Sequence, residues 1–354
     1  IEPATLVKLV ESHRSSGAAA TLLTTELAEP AGYGRVMRDE RGHVLRIVEE
    51  KDASPQEKNV HEVNTGIYCF ESEGLFEALE KVTPDNAQGE YYLTDLVEAY
   101  RASDKIVGAV RLANPVEATG INDRVQLAEV ERVIRARVIQ EIMLNGVTVL
   151  DPQSTFVDRS VRIGVDTVIY PFTILEGQTS IGEDCIIGPH TRLVDAEVGD
   201  GVTIQNSIIL ESHIGNRCTI GPFAYIRPET VLGEGVKVGD FVEIKKSQIG
   251  NGSKVPHLAY VGDATLGRDV NIGAGTITCN FDGQKKWPTY IGDRAFIGSN
   301  TNLVAPVRIG AGATTGAGST ITKDVPDGAL GLERAQQTVI PDWENRKKKK
   351  AEKA

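Results

Sequence analysis

The stretch that decides the fold runs from Ile214 to Ile244 and breaks into sixes: IGNRCT, IGPFAY, IRPETV, LGEGVK, VGDFVE, then Ile244. An aliphatic residue opens every six, and Gly follows it at 215, 221, 233 and 239. The same beat runs through Val157, Ile163, Ile169, Leu175, Ile181, Ile187 and Leu193. Five-residue steps carry it to Val198 and Ile204, and later to Ile249, Val255, Val261, Leu266 and Ile272. It resumes at Ile291, Ile297, Leu303, Ile309, Thr315 and Ile321 after a break at residues 279–289. A hexapeptide period of this kind predicts a parallel β-helix. Three rungs make one triangular coil, the single aliphatic of each rung points inward, and stacked coils bury a continuous apolar column. Gly is expected at corners whose dihedrals other residues resist. About nine coils are expected over residues 157–325. The break, Cys279 to Thr289, reads as an extruded loop with two Lys and a Trp, and loops on a rigid solenoid commonly carry binding groups.

Ahead of the repeat, Leu127, Val130, Ile134, Val138 and Ile142 recur at steps of three and four, which predicts one helix over 126–145. Asn145-Gly146 stops it. Residues 1–125 alternate instead. Helices are expected from Pro3, over Glu73–Lys81 and over Leu93–Ala102. Strands are expected at Ala18–Leu23, Val44–Val48, Asn64–Phe70 and Ile106–Val110. That alternation predicts an α/β layer. The chain of 354 residues therefore divides into residues 1–125, a linking helix at 126–150, a β-helix at 151–334 and a basic tail at 335–354.

The closing run Asn345-Arg346-Lys347-Lys348-Lys349-Lys350 is expected to be a solvated tail. A net charge of -11 argues against general nucleic-acid binding, which needs a basic face. No apolar run approaches the roughly 18 residues of a membrane span. The four cysteines, Cys69, Cys185, Cys218 and Cys279, are widely spaced, which fits a reducing cytoplasm better than a disulfide framework.

Several motifs carry a resemblance. In the back half they are Gly221-Pro222-Phe223-Ala224-Tyr225-Ile226-Arg227, Glu243-Ile244-Lys245-Lys246, His257-Leu258-Ala259-Tyr260-Val261-Gly262-Asp263 and Asn271 to Asn280. In the front half they are Gly32-Tyr33-Gly34-Arg35, Glu49-Glu50-Lys51, Asn64-Thr65-Gly66, Gln88 to Asp95 and Gly120-Ile121-Asn122. Together they resemble the bacterial bifunctional N-acetylglucosamine-1-phosphate uridyltransferase/glucosamine-1-phosphate acetyltransferases. The resemblance implies a Rossmann-like α/β nucleotidyltransferase domain, a linking helix and a left-handed β-helix that forms a homotrimer. It also implies acetyl transfer from acetyl-CoA to glucosamine-1-phosphate, then uridylyl transfer from UTP with Mg2+, giving UDP-N-acetylglucosamine in the cytoplasm. The family opens with a Gly-rich phosphate loop and a magnesium-binding Asp, and this sequence starts beyond both. The front half is therefore expected to lack the N-terminal part of its domain and not to transfer uridylyl groups alone.

Acetyl transfer to an amine needs a base, donors for the oxyanion and cations that hold the sugar phosphate. The resemblance implies that His257 is the base, since imidazole titrates near neutral pH, and that Glu243 orients it. It implies that Arg227, Lys245, Tyr260 and Asn271 bind glucosamine-1-phosphate, with Lys286 reaching in from a neighbouring subunit. A planar guanidinium beside a point-charge ammonium suits a dianionic ester. Asn280, Ser299, Ala317 and Arg334 are implied at acetyl-CoA. In the front half it implies sugar-phosphate contacts from Gly34, Glu49, Asn64, Tyr92 and Thr94, and a magnesium ligand in Asn122. Pro256, Ala259 and Phe281 depart from the commonest family pattern without removing a charged group.

Three rival readings differ in kind. Three histidines of a β-helix can share zinc, but His190, His213 and His257 fall at different phases of the six-residue period. A trimeric scaffold with a lapsed site would not need His257, Glu243, Arg227, Lys245, Tyr260, Asn271, Asn280 and Lys286 together. An acetyltransferase for another amino sugar would not explain the front-half motifs.

Overall fold

A computed structural model describes residues 1–121 and 123–351. The chain forms two compact units, Ile1–Val130 and Glu131–Ala354.

In the first unit, α1 (Pro3–Ser16) starts with Pro in its first turn and ends at Gly17, whose φ of 60° is the left-handed cap. A five-stranded sheet follows, made of β1 (Ala20–Glu26), β2 (Arg35–Arg38), β3 (Val44–Val48), β4 (Glu62–Phe70) and β5 (Val107–Arg111), in the order β3-β2-β4-β1-β5. Only β1 and β5 run parallel, while β1/β4, β4/β2 and β2/β3 are antiparallel. The sequence pattern misses β2, because Arg35 and Arg38 hide it. Arg35 is buried, with Glu50 as its ion-pair partner, and Arg38 pairs with Glu62. The helices α2 (Leu75–Leu79) and α3 (Asp95–Ala102) are shorter than expected. Leu96, Val97 and Tyr100 of α3 pack on Leu22, Val36 and Ile47.

The helix α4 (Arg124–Leu144) leads into the solenoid. Its coils stack into three parallel walls of eleven, ten and nine strands, a left-handed β-solenoid. The eleven-strand wall runs from Thr148–Val149 to Leu330–Gly331, the ten-strand wall from Phe156–Val157 to Thr320–Ile321, and the nine-strand wall from Arg162–Ile163 to Val307–Ile309.

The structure changes the reading of the repeat in three ways. First, each rung buries two residues, not one. The aliphatic is joined by a small residue two positions before it, as in Thr173/Leu175, Cys218/Ile220, Ala259/Val261 and Ser253/Val255. The small hydroxyls satisfy corner backbone: Thr167 Oγ1 donates to the Gly182 carbonyl and accepts from Cys185 N–H. Second, the trains skip two rungs. Ile209 is fully buried between the coil levels of Leu193 and Ile226, and Thr278 fills the inward place beside Leu303. Third, many glycines after the aliphatics serve stacking, while Gly188 and Gly221 hold a positive φ of 101° and 99°. Gly164, Gly215 and Gly298 do not have positive φ. A Cβ at Gly164 would stand 2.6 Å from the Gly182 carbonyl carbon one coil on, and one at Gly215 2.7 Å from that of Gly233. The left-handed corners are held by glycines such as Gly177, Gly201 and Gly252, and also by Asp166, Phe172, Phe241 and Leu258. Each buried Ile, Leu or Val side chain contributes about 1.5–3 kcal/mol, which favours keeping every rung filled.

After the last coil comes α5 (Trp343–Ala351), whose residues 343–348 are exposed.

Candidate active site

The corner between the eleven- and ten-strand walls repeats with every coil. Asp240, His257, Ala274, Ser299 and Ala317 each stand two residues past a buried inward residue: Val238, Val255, Ile272, Ile297 and Thr315. Backbone hydrogen bonds tie these corners together, from Leu258 N to Asp240 O (3.0 Å), Gly275 N to Leu258 O (3.1 Å), Asn300 N to Ala274 O (2.7 Å) and Gly318 N to Ser299 O (2.8 Å). The five residues therefore form one file along the solenoid axis. With about 4.8 Å between coils, His257 and Ala317 are about 14 Å apart along it. Arg334 closes the top of the file, its Nη1 donating to the Ala317 carbonyl at 3.2 Å.

His257 is open to solvent, with its side chain 57% exposed, and its Nδ1 lies 2.7 Å from Asp240 Oδ1. That hydrogen bond holds the Asp240 carboxyl below its ordinary pKa. Glu243, the carboxylate expected beside the imidazole, is instead the partner of Arg227, which donates from Nη1 to Oε1 at 2.7 Å. The reason is geometric. Glu243 lies in the file of Tyr225 and Tyr260 on the ten-strand wall, one coil above the Arg227 level, while Asp240 shares the strand register of His257. The same bond raises the Arg227 pKa.

Further along the ten-strand wall, Lys245 pairs in register with Gly262. A Cβ on Gly262 would lie 2.6 Å from Tyr260 Cζ and 2.8 Å from Asn280 Nδ2. The missing side chain leaves room for the Tyr260 ring and the Asn280 amide, which donates to the Tyr260 hydroxyl at 3.3 Å and to Asp263. Lys286 is next to Lys245 and, with burial second, lowers its pKa; Asp263 acts in the opposite sense. The two cations thus meet within one chain.

Lys286 is held there by its loop. Phe281 bridges to Lys286, and Trp287 N donates to Asn280 O at 2.7 Å. Asp282 accepts from Gln284 N, Lys285 N and Trp287 Nε1, which pulls its pKa down to about 2. Lys246, Asp263, Lys286 and Trp287 line a groove of about 380 Å3. Asn271 sits on the eleven-strand wall, one coil above Lys254.

His257 and the cations thus flank one short strand level: His257 precedes the strand Tyr260–Gly262, and Lys245 pairs with its last residue. The span of such a strand is about 10 Å. The other histidines lie elsewhere. His190 stacks on Phe172 at 4.8 Å, and His213, on the nine-strand wall, faces Glu197 at 3.2 Å. Among the described residues no three His, Cys, Asp or Glu side chains are grouped to hold a metal ion.

In the first unit, four of the expected sugar contacts come together. Thr94 Oγ1 donates to Glu49 Oε1 at 3.2 Å, and a Cβ on Gly34 would meet that same oxygen at 3.3 Å. The Asn64 backbone N–H donates to the Gly34 carbonyl at 2.9 Å. Tyr92 stands apart from that cluster and accepts from Gln88 at 2.6 Å. Asn122, the expected magnesium ligand, lies outside the described residues.

Comparison with known proteins follows the same division. The nucleotidyl transferase family matches residues 2–114, and the bacterial transferase hexapeptide family matches residues 211–246 and 288–323. The bifunctional protein GlmU of Pelotomaculum thermopropionicum is 69% identical over 99% of this chain and 77% of its own length. The chain belongs to the GlmU family. GlmU of Heliobacterium modesticaldum is 58% identical over 98% of this chain and 76% of that protein. The expectation that the front half lacks the opening part of its domain finds no support in these matches. Among solved structures, the UDP-N-acetylglucosamine acyltransferase LpxA of Bacteroides fragilis covers 55% of this chain and 76% of its own at 20% identity, with a TM-score of 0.40. Within this GlmU family chain, motif reading gives no role to Asp240 or Asp263, which meet His257 and Asn280. The position two past each inward residue, followed coil by coil, is the signal that finds Asp240.

Proposed function

We propose that this chain transfers the acetyl group of acetyl-CoA to the 2-amino group of glucosamine-1-phosphate, and that uridylyl transfer from UTP then yields UDP-N-acetylglucosamine. One observation carries the acetyl-transfer reading. A solvent-open imidazole with a carboxylate on its far nitrogen stands at the corner where the eleven-strand wall meets the ten-strand wall that carries Arg227 and Lys245, with Lys286 beside Lys245. A base beside a phosphate clamp is what amine acylation of a sugar phosphate requires.

In this reading Arg227, Lys245 and Lys286 hold the phosphate, and Tyr260 and Asn271 orient the sugar ring. His257 Nε2 takes a proton from the amine as its nitrogen bonds to the acetyl carbon. The C–S bond then breaks, and the departing thiolate of coenzyme A takes the proton back. Asn280, Ser299, Ala317 and Arg334 hold the coenzyme. The file from His257 to Ala317 supports that assignment, since an extended thioester arm can lie along it. Glu243 acts through Arg227.

Gly34, Glu49, Asn64, Tyr92 and Thr94 bind the sugar phosphate in the uridylyl transfer. Mg2+ would supply charge neutralisation there, and Asn122 lies outside the described residues. The enzyme works as a homotrimer in the cytoplasm. Among the described residues no helix is long and apolar enough to cross a membrane. Residues 1–125, 126–150, 151–334 and 335–354 serve as nucleotidyltransferase domain, linking helix, acetyltransferase domain and basic tail.

Paired assays test this. One follows free thiol with acetyl-CoA and glucosamine-1-phosphate, and the other follows pyrophosphate with UTP, Mg2+ and N-acetylglucosamine-1-phosphate. Thiol release that disappears in His257→Ala, with the fold retained, is expected. Thiol release only with a different amino sugar would overturn the substrate, and none with any acceptor would leave a scaffold. Absence of pyrophosphate release would overturn the uridylyl reading alone.

A further inference from the structure

We infer that Asp240 is the positioning carboxylate of His257 and fixes the tautomer in which Nε2 is free to take the substrate proton. The inference rests on the reading of His257 as base.

The two residues are register partners on adjacent strands, Lys237–Asp240 and Lys254–His257 of the eleven-strand wall. Each is followed by a left-handed corner residue, Phe241 at φ 56° and Leu258 at φ 46°. The two turns therefore repeat, and the two side chains leave the wall one coil apart in the same sense. Gly239 tightens the stack beneath them, because an added Cβ there would fall on the Pro256 carbonyl. The outcome is the 2.7 Å contact from His257 Nδ1 to Asp240 Oδ1.

An aspartate can only accept, so Nδ1 carries the hydrogen and the Nε2 lone pair is exposed. Once Nε2 gains a proton, the adjacent anion stabilises the imidazolium. Among the described residues Asp240 is the carboxylate that meets the His257 ring. Glu243, across the corner, is held by Arg227, and the next corner of the file is Ala274. The remaining outward charges on the two strands, Lys237 and Lys254, are themselves register partners three residues before the pair. An asparagine at 240 would keep the shape but lose the charge, and its amide could turn a donor toward Nδ1 and favour the other tautomer.

The test compares Asp240→Asn, Asp240→Ala and His257→Ala for thiol release over a pH series, with thermal melting as the folding control. Asp240→Asn is expected to lower kcat about tenfold or more, and Asp240→Ala further, with the KM for glucosamine-1-phosphate changed less than about threefold. Asp240→Glu, added to the set, restores a carboxylate and is expected to recover part of the lost kcat at unchanged KM. A merely structural role would lower the melting temperature in step with the rate and give no such split between kcat and KM, which would overturn the inference. Rates within twofold of the parent in all three Asp240 variants would also overturn it. If His257→Ala keeps full activity, the reading of the base fails first; if it is inactive while the Asp240 variants are normal, only this inference fails.

Discussion

Arg227 reaches one coil up the solenoid to donate from Nη1 to Glu243 Oε1 at 2.7 Å, so this carboxylate fixes a guanidinium and leaves the imidazole to Asp240. Both side chains are 38% exposed, which makes the pair a poor source of stability but a good means of aiming a fork at a ligand. Glu243→Ala should therefore raise the KM for glucosamine-1-phosphate about tenfold and leave the pH dependence of kcat where it was. Steady-state kinetics over a pH series decide the matter. A shift of the kcat profile with KM unchanged would return Glu243 to the imidazole.

Lys245 and Lys286 predict a pH effect whose sign follows from their mutual repulsion. Lys286 and burial hold the Lys245 ammonium below the ordinary lysine pKa. Phosphate binding needs that ammonium charged, so affinity should decline with rising pH earlier than an ordinary lysine would allow. Lys286→Ala removes the neighbouring charge, which weakens binding at neutral pH and moves the alkaline decline to higher pH. Calorimetric titration with glucosamine-1-phosphate across the alkaline range measures both. An unmoved decline in the variant would show that the two lysines do not interact.

The glycines after the inward aliphatics predict a stability contrast far from the site. A Cβ on Gly215 would sit 2.7 Å from the Gly233 carbonyl carbon and 2.9 Å from Glu234 N, where only backbone could yield. Gly215→Ala should cost about 1–3 kcal/mol as overpacking. Gly235 has open space around it but a φ of +64°, so Gly235→Ala should cost only about 1 kcal/mol, from the left-handed backbone. Thermal melts of the two variants separate the causes, and equal losses would contradict the stacking argument.

The same contrast explains what a reader of the sequence can and cannot see. The six-residue beat is legible because each inward aliphatic, such as Ile220 or Ile244, must fill the same column in every coil. The reason for the glycines is not legible, because Gly164 and Gly298 look like turn formers until the neighbouring coil is placed against them. Ile209 is lost to inspection because a pair of five-residue steps surrounds it. At the site, residue types and motifs bring forward His257, Arg227, Lys245 and Lys286. Partnership is another matter. Glu243 and Asp240 stand three residues apart in one motif, and only the coil register decides which carboxylate meets the imidazole. In the front unit, β2 stays hidden because its arginines find partners, Glu50 and Glu62, that are distant in sequence.

The loop that carries Lys286 hinges on Asp282. Its Oδ1 accepts from Gln284 N and Lys285 N at 2.8 Å each, and its Oδ2 from Trp287 Nε1 at 2.6 Å. These donors lower its pKa to about 2, with the Lys285 backbone bond first. A depressed carboxylate stabilises the folded loop above its unfolded pKa of roughly 4 and loses that contribution as pH falls toward the folded value. The loop should therefore keep its form down to about pH 4 and open only below it. Trp287 reports this directly, since its indole is both hydrogen-bonded to Asp282 and covered by Lys285 Nζ at 3.6 Å from the ring centroid. The other tryptophan, Trp343, lies in α5, so a Trp343→Phe background leaves one signal. Asp282→Ala should red-shift Trp287 emission at neutral pH and raise the KM for glucosamine-1-phosphate, while His257 chemistry on saturating substrate persists. Emission already red-shifted at neutral pH in the parent would mean the loop is not pinned by Asp282, and the placement of Lys286 would need another cause.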